Sequence, residues 1–128
     1  MRPRVDTRSK ILTLRAVEGL PRPLTLVTGY FDVLLAEHAR ELQQVRDRTP
    51  LAKLLVALVT YPGELLDGQS RAELVAALRM VDYVVTAKHD DLDRLIERLR
   101  PAEIVRLEAA DLGRRKRLIE DVQRRQHQ

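Results

Sequence analysis

Four short apolar runs set what this chain can fold into: Leu24–Thr28 (LTLVT), Leu54–Thr60 (LLVALVT), Tyr83–Thr86 (YVVT) and Glu103–Leu107 (EIVRL). Each is rich in β-branched residues and reads as a strand. Between them the apolar residues change to helical spacing. Leu35, Ala39, Leu42 and Val45 mark a helix that ends at Thr49-Pro50. Ser70-Arg71-Ala72-Glu73 has the form of a capping box and opens a helix carrying Leu74, Ala77, Leu78 and Val81 on one side. Asp90 or Asp91 caps a third helix, with Leu92, Leu95, Ile96 and Leu99 along it and Pro101 at its end. Asp111–Gln126 reads as a last, highly charged helix. Strand alternating with helix predicts an α/β chain with a small parallel sheet of about four or five strands and helices on both faces. LLVALVT is apolar without interruption, as a strand covered on both sides requires. Right-handed crossovers bring every strand's carboxyl end to one edge, where open α/β sheets bind ligands. The turn at Gly29, directly after the first strand, is therefore the first place to look for a site.

Composition narrows the chemistry. With 128 residues, 45% of them apolar, the chain has enough material for one core. It has no cysteine, which excludes disulfides, thiolate nucleophiles and zinc–thiolate centres. The opening MRPRVDTRSK lacks the apolar stretch of a secretory signal, and Leu54–Val59 is too short to span a bilayer. A cytoplasmic location without membrane contact is the default expectation. Residues 1–10 read as loosely ordered, and Ile11–Leu20 as one short helical turn broken by Pro21-Arg22-Pro23. The net charge of +4 and pI near 9.8 suit anionic partners. Tyr30, Phe31, Tyr61 and Tyr83 are its four aromatics, a scarcity that counts against nucleic-acid binding by base stacking.

The motifs of several chemistries are missing. Gly29 stands without the further glycines of a dinucleotide fingerprint, and neither a phosphate loop nor a G-x-S-x-G nucleophile elbow is present. Asp32 stands without the clustered carboxylates of a phospho-receiver. What remains is Gly29-Tyr30-Phe31-Asp32-Val33-Leu34-Leu35-Ala36-Glu37-His38. This decapeptide resembles the G-x-F-D-x-x-H-x-G-H signature of the cytidylyltransferase-like nucleotidyltransferases, in particular the heptose-phosphate adenylyltransferase and glycerol-phosphate cytidylyltransferase branch. Gly29, Phe31, Asp32 and His38 match; Leu35 replaces the first histidine and Glu37 the second glycine. SRAELVAALRMVDYVV and LDRLIERLRPAEIVRLEAAD are similar to later parts of the family, with Arg71 at the place of a phosphate-holding arginine and Arg106 at that of a lysine. The likeness runs over roughly residues 9–110, and the family's closing segment has no counterpart.

The resemblance implies a Rossmann-like three-layer sandwich, with residues 1–23 as an N-terminal arm and short helix and 24–128 as the nucleotidyltransferase-like domain. It assigns nucleotide or phosphate contacts to Gly29, Tyr30, Phe31, Asp32, Arg71 and Arg106, and a catalytic role to His38. No residue is assigned to a metal; Mg²⁺ accompanies the nucleoside triphosphate if the domain is active. The Leu35 side chain cannot donate a hydrogen bond, and loss of one preorganised donor costs about 10²–10³ in rate. Glu37 places a carboxylate where backbone should approach an anion. The expectation is weak or lost nucleotidyl transfer with nucleotide or phosphate binding retained. Two alternatives stand: an active enzyme joining CTP or ATP to a phosphorylated sugar or polyol with release of pyrophosphate, and a protein-interaction module using the basic terminal helix. A homodimer is compatible with either.

Simpler readings accompany these residues. Gly29 could serve a turn of unusual backbone angle, Asp32 could cap the next helix, and His38 could be an ordinary helix residue. Arg71 in a helix's first turn opposes the helix dipole, which favours a functional reason for it. Lys88–Asp93 (KHDDLD) is explained by helix capping more cheaply than by a metal. Arg114–Arg117 (RRKR) is read as a solvated helix face before a nucleic-acid or membrane contact.

Overall fold

The computed structural model describes residues 6–32, 34–64 and 66–126. The first five residues of the arm expected to be loose lie outside these, and Asp6 caps a short 3-10 turn at Thr7–Lys10. In chain order follow α1 (Leu14–Val17), β1 (Leu24–Gly29), α2 (Ala36–Arg48), β2 (Lys53–Val59), α3 (Gly68–Ala76), β3 (Tyr83–Ala87), α4 (His89–Leu99), β4 (Glu103–Arg106) and α5 (Glu108–Gln126). The four strands pair in parallel in the order β3-β2-β1-β4. This is the α/β Rossmann-like arrangement that the alternation predicted.

Period-two alternation sorts each strand's side chains to opposite faces, and the two resulting clusters show three layers. Leu24 and Leu26, Leu55, Ala57 and Val59, and Val85 and Ala87 pack with Val17 of α1 and with Leu92, Leu95 and Leu99 of α4. Val27, Leu54, Val56, Leu58 and Val84 pack with Leu42 and Val45 of α2 and with Ala72, Val75 and Ala76 of α3. Most of these side chains have no exposed area, and burying one fully stabilises the fold by about 1.5–3 kcal/mol. The arm shares this core through Val17, and it continues the sheet edge where Ile11 bridges Val84.

Several helix boundaries differ from the sequence reading, among them the start of α5, which is Glu108 rather than Asp111. The N-cap of α3 is Asp67, whose carboxylate accepts from the Ser70 N–H at 2.7 Å, so the helix opens before the proposed capping box. It also closes earlier, at Ala76. Its buried face is Arg71, Ala72, Val75 and Ala76, while Leu74 is largely exposed. α4 is capped by the backbone of Lys88, with Asp90 and Asp91 inside its first turn, where they face the positive end of the helix dipole. Asp32 does not cap α2; Leu35 holds that position.

The chain leaves β1 toward β2 on one side and returns through β4 on the other. The strand order therefore reverses between β1 and β4. Thr28 is in register with Arg106, and the Leu107 N–H donates to the Thr28 carbonyl at 2.8 Å. That hydrogen bond delivers the start of α5 beside the turn that follows β1.

Candidate functional site

At the carboxyl end of β1 the backbone N–H groups of Tyr30 and Phe31 point to one spot. Both donate to Oδ2 of Asp111, at 2.8 and 3.2 Å. Phe31 has φ +48°, a left-handed conformation uncommon for an aromatic residue, and it sets two successive N–H groups on one side as an anion-binding nest. Gly29 is not in that region. Its requirement is room: a Cβ there would lie 2.7 Å from Asp111 Oδ2 and 2.7 Å from the Phe31 ring. The unusual backbone angle thus belongs to Phe31, two residues beyond the glycine.

His38 completes the ring of donors. It is the third residue of α2 and 2% exposed, and its Nδ1 accepts the Leu35 N–H at 2.9 Å. An accepting Nδ1 places the ring proton on Nε2, which then donates to Asp111 Oδ1 at 2.7 Å. Arg114, one turn further along α5, donates to the same oxygen at 3.2 Å. One buried carboxylate so receives two backbone N–H groups, an imidazole and a guanidinium.

Arg71 lies behind this cradle with no exposed area. Its Nη1 donates to the carbonyls of Tyr30 at 2.7 Å and Val59 at 3.2 Å, and its Nη2 to Glu64 at 2.6 Å. The Tyr30 carbonyl and the Phe31 N–H belong to one planar peptide. Arg71 holds one end of that plane and Asp111 the other.

The remaining residues named from the sequence are placed as follows. Leu35 lines the small cleft between β1 and α5. Glu37 accepts from Arg114 Nε at 3.1 Å, and Glu41 is paired with the same guanidinium. Asp32 accepts from the Tyr61 hydroxyl at 2.5 Å and from the Leu66 N–H at 2.7 Å, fastening the loop after β2 to the turn after β1. Arg106 is exposed on the edge strand β4 and is not among the cleft residues. The basic run splits. Arg114 is buried among three carboxylates and Arg115 reaches the Gly63 carbonyl at 3.1 Å, so these two are not a solvated face, whereas Lys116 and Arg117 are exposed.

Asp111, Arg114, Arg115, Tyr61 and Glu64 were not singled out as site residues by sequence reasoning. The signal for the first pair was an acid and an arginine three residues apart on a helix that starts at the strands' carboxyl edge. With α5 in place the cleft keeps about 10 Å³ of open space, about the room of one water. Small-molecule pockets run to about 300–1,000 Å³.

The Tyr61 hydroxyl is pushed up to about 12, first by burial and then by its hydrogen bond to Asp32 and that carboxylate's charge. An unfolded tyrosine ionises near 10, so the unfolded chain loses this proton first. The stabilisation is complete below about pH 10 and is lost as pH rises toward about 12. Urea midpoints measured across that range should fall more steeply for the wild type than for Tyr61→Phe. Equal slopes would remove Tyr61 from the account.

Fold and edge together define a Rossmann-like α/β domain with an anion cradle at the switch point of its sheet. No protein-family model matches the chain. Among curated proteins it is 34% identical to the D-beta-D-heptose 1-phosphate adenylyltransferase of Bordetella bronchiseptica, over 80% of this chain and 68% of that one. It is 30% identical to the bifunctional protein HldE of Geobacter metallireducens and 31% to that of Geobacter sulfurreducens, matching 24% and 22% of those longer chains. The crystal structure of the lipopolysaccharide core biosynthesis protein from Thermoplasma volcanium superposes with a TM-score of 0.55 at 22% identity, covering 62% of this chain and 70% of that one, and shares the fold. The chain belongs to the cytidylyltransferase-like nucleotidyltransferase family. No helix among the described residues is long and apolar enough to cross a membrane.

Proposed function

We propose that this domain performs nucleotidyl transfer weakly or not at all and retains binding of a nucleotide or a phosphorylated small molecule. The observation that carries the reading is the Asp111 carboxylate seated on the Tyr30 and Phe31 N–H groups and on His38 Nε2. Those donors are the ones a reacting phosphate would need, and transition-state charge is stabilised only by donors free to meet it. Leu35 adds no donor at the entrance to α2, and Arg71 is engaged by two backbone carbonyls and Glu64. Arg106 lies exposed near the same edge and could meet a phosphate arriving from solvent. Among the described residues no three histidine, aspartate or glutamate side chains gather as a metal site. An Mg²⁺ ion would come with the triphosphate, as this hard cation commonly does.

The test is pyrophosphate release from ATP or CTP in the presence of heptose 1-phosphate or glycerol phosphate. The Bordetella bronchiseptica relative, named for its adenylyltransferase activity, serves as the reference. The expected rate is at least about 10²-fold below that reference, the loss typical of one missing preorganised donor. Turnover within tenfold of the reference would establish the active-enzyme alternative instead.

One observation favours a second reading as a protein-interaction module. Leu112, Leu118 and Val122 are 45%, 36% and 47% exposed along α5. If they meet a second copy of the chain, sedimentation should show mass rising with concentration, and Leu118→Lys should abolish the rise.

A further inference from the structure

Helix α5 is 19 residues long, yet its buried side chains are Asp111 and Arg114, an acid and a base. Helices of globular domains are ordinarily held by an apolar stripe against the core. The named anchors of α5 are ionic or hydrogen-bonded: Asp111 in the cradle, Arg114 on Glu37 and Glu41, and Arg115 on the Gly63 carbonyl. A helix with so few buried apolar contacts opens locally at lower cost than one held by a core stripe. The cradle itself belongs to the body of the domain. The Tyr30–Phe31 peptide is fixed by fully buried Arg71, and His38 is fixed by the Leu35 N–H; neither anchor involves α5.

We propose that α5 is a detachable plug and that Asp111 competes with a phosphate group for the cradle formed by the Tyr30 and Phe31 N–H groups and His38 Nε2. This rests on the reading that phosphate binding survives at this edge. It adds the regulation of that site: in the docked state the protein occupies its own anion position, and an incoming phosphate must displace one carboxylate. Apparent affinity is then the intrinsic affinity of the cradle reduced by the fraction of molecules in which α5 is released. Phosphate supplied free or on a nucleotide presents the same oxygens to these donors, so the chemistry recognised is common to both.

The experiment is calorimetric titration of the full chain, wild type and Asp111→Ala, with pyrophosphate, CTP and ATP as separate arms. Asp111→Ala is expected to bind pyrophosphate at least tenfold more tightly than wild type, and His38→Ala added to it should remove that gain. A gain confined to CTP or ATP keeps the plug and assigns the cradle to nucleotide phosphate. Affinities for all three ligands unchanged from wild type in a folded Asp111→Ala protein overturn the proposal. If circular dichroism shows that this variant does not fold, amide hydrogen exchange on wild type decides. Millimolar pyrophosphate should speed exchange along α5 at least tenfold while leaving β1 and β2 unchanged, and an unaltered α5 overturns the plug. Brisk pyrophosphate release by wild type would instead sink the functional reading, whatever Asp111 does, so the two failures are separable.

Discussion

Arg71→Ala is expected to lower stability by about 3–4 kcal/mol, a large fraction of the roughly 5–15 kcal/mol that holds a domain of this size together. The guanidinium is fully buried and serves the carbonyls of Tyr30 and Val59 together with Glu64. Truncation leaves two buried carbonyls without donors, each costing about 1–3 kcal/mol, and Glu64, one-third exposed, returns to water at smaller cost. Arg71→Met keeps most of the volume, so its residual loss reports the polar part. Arg71→Lys keeps the charge but cannot serve three acceptors with one planar fork. Urea denaturation with unchanged slope is the measurement. A loss below about 1 kcal/mol for the alanine variant would show that Arg71 does not support the turn. Because Arg71 orients the Tyr30–Phe31 peptide, its removal should also weaken pyrophosphate binding in the Asp111→Ala background.

Gly29→Ala should cost about 2–3 kcal/mol, the upper range for overpacking a filled site. The added methyl would fall 2.7 Å from Asp111 Oδ2 and from the Phe31 ring, and neither can retreat freely. Asp111 is held by four donors, and Phe31 is fully buried in a left-handed turn. The carboxylate is the more movable of the two, so faster hydrogen exchange in α5 should accompany the loss. A double-mutant cycle isolates the contact: in an Asp111→Ala background Gly29→Ala should cost less, with a coupling of about 1 kcal/mol or more. Additive losses would mean that Gly29 is needed for Phe31 alone.

The strands and their order in the chain were legible because each short apolar run switches to helical spacing at a polar or glycine boundary, and neither signal depends on distant residues. The capping box at Ser70 misled for a local reason. Asp67, three residues earlier, is an equally good cap and captures the Ser70 N–H first, which moves the helix start. The decapeptide shows a glutamate in place of the signature's glycine, which on local grounds sets Glu37 against the cradle. Its partner Arg114 lies 77 residues away, and no spacing rule connects them. Tyr61 and Asp32 meet for the same kind of reason, across 29 residues.

The amino-acid order by itself determined the class of fold and the sheet edge at which to look for a site, and it sets Leu35 and Glu37 where the resembled signature has a histidine and a glycine. Those follow from periodicity, crossover handedness and side-chain chemistry, all of which act locally or obey a general rule of chain geometry. Only the tertiary structure decided what fills the edge. Asp111 enters the nest after β1 because β4 pairs beside β1 and launches α5 next to it, and the energy of that meeting belongs to groups 73 to 81 residues apart in the chain.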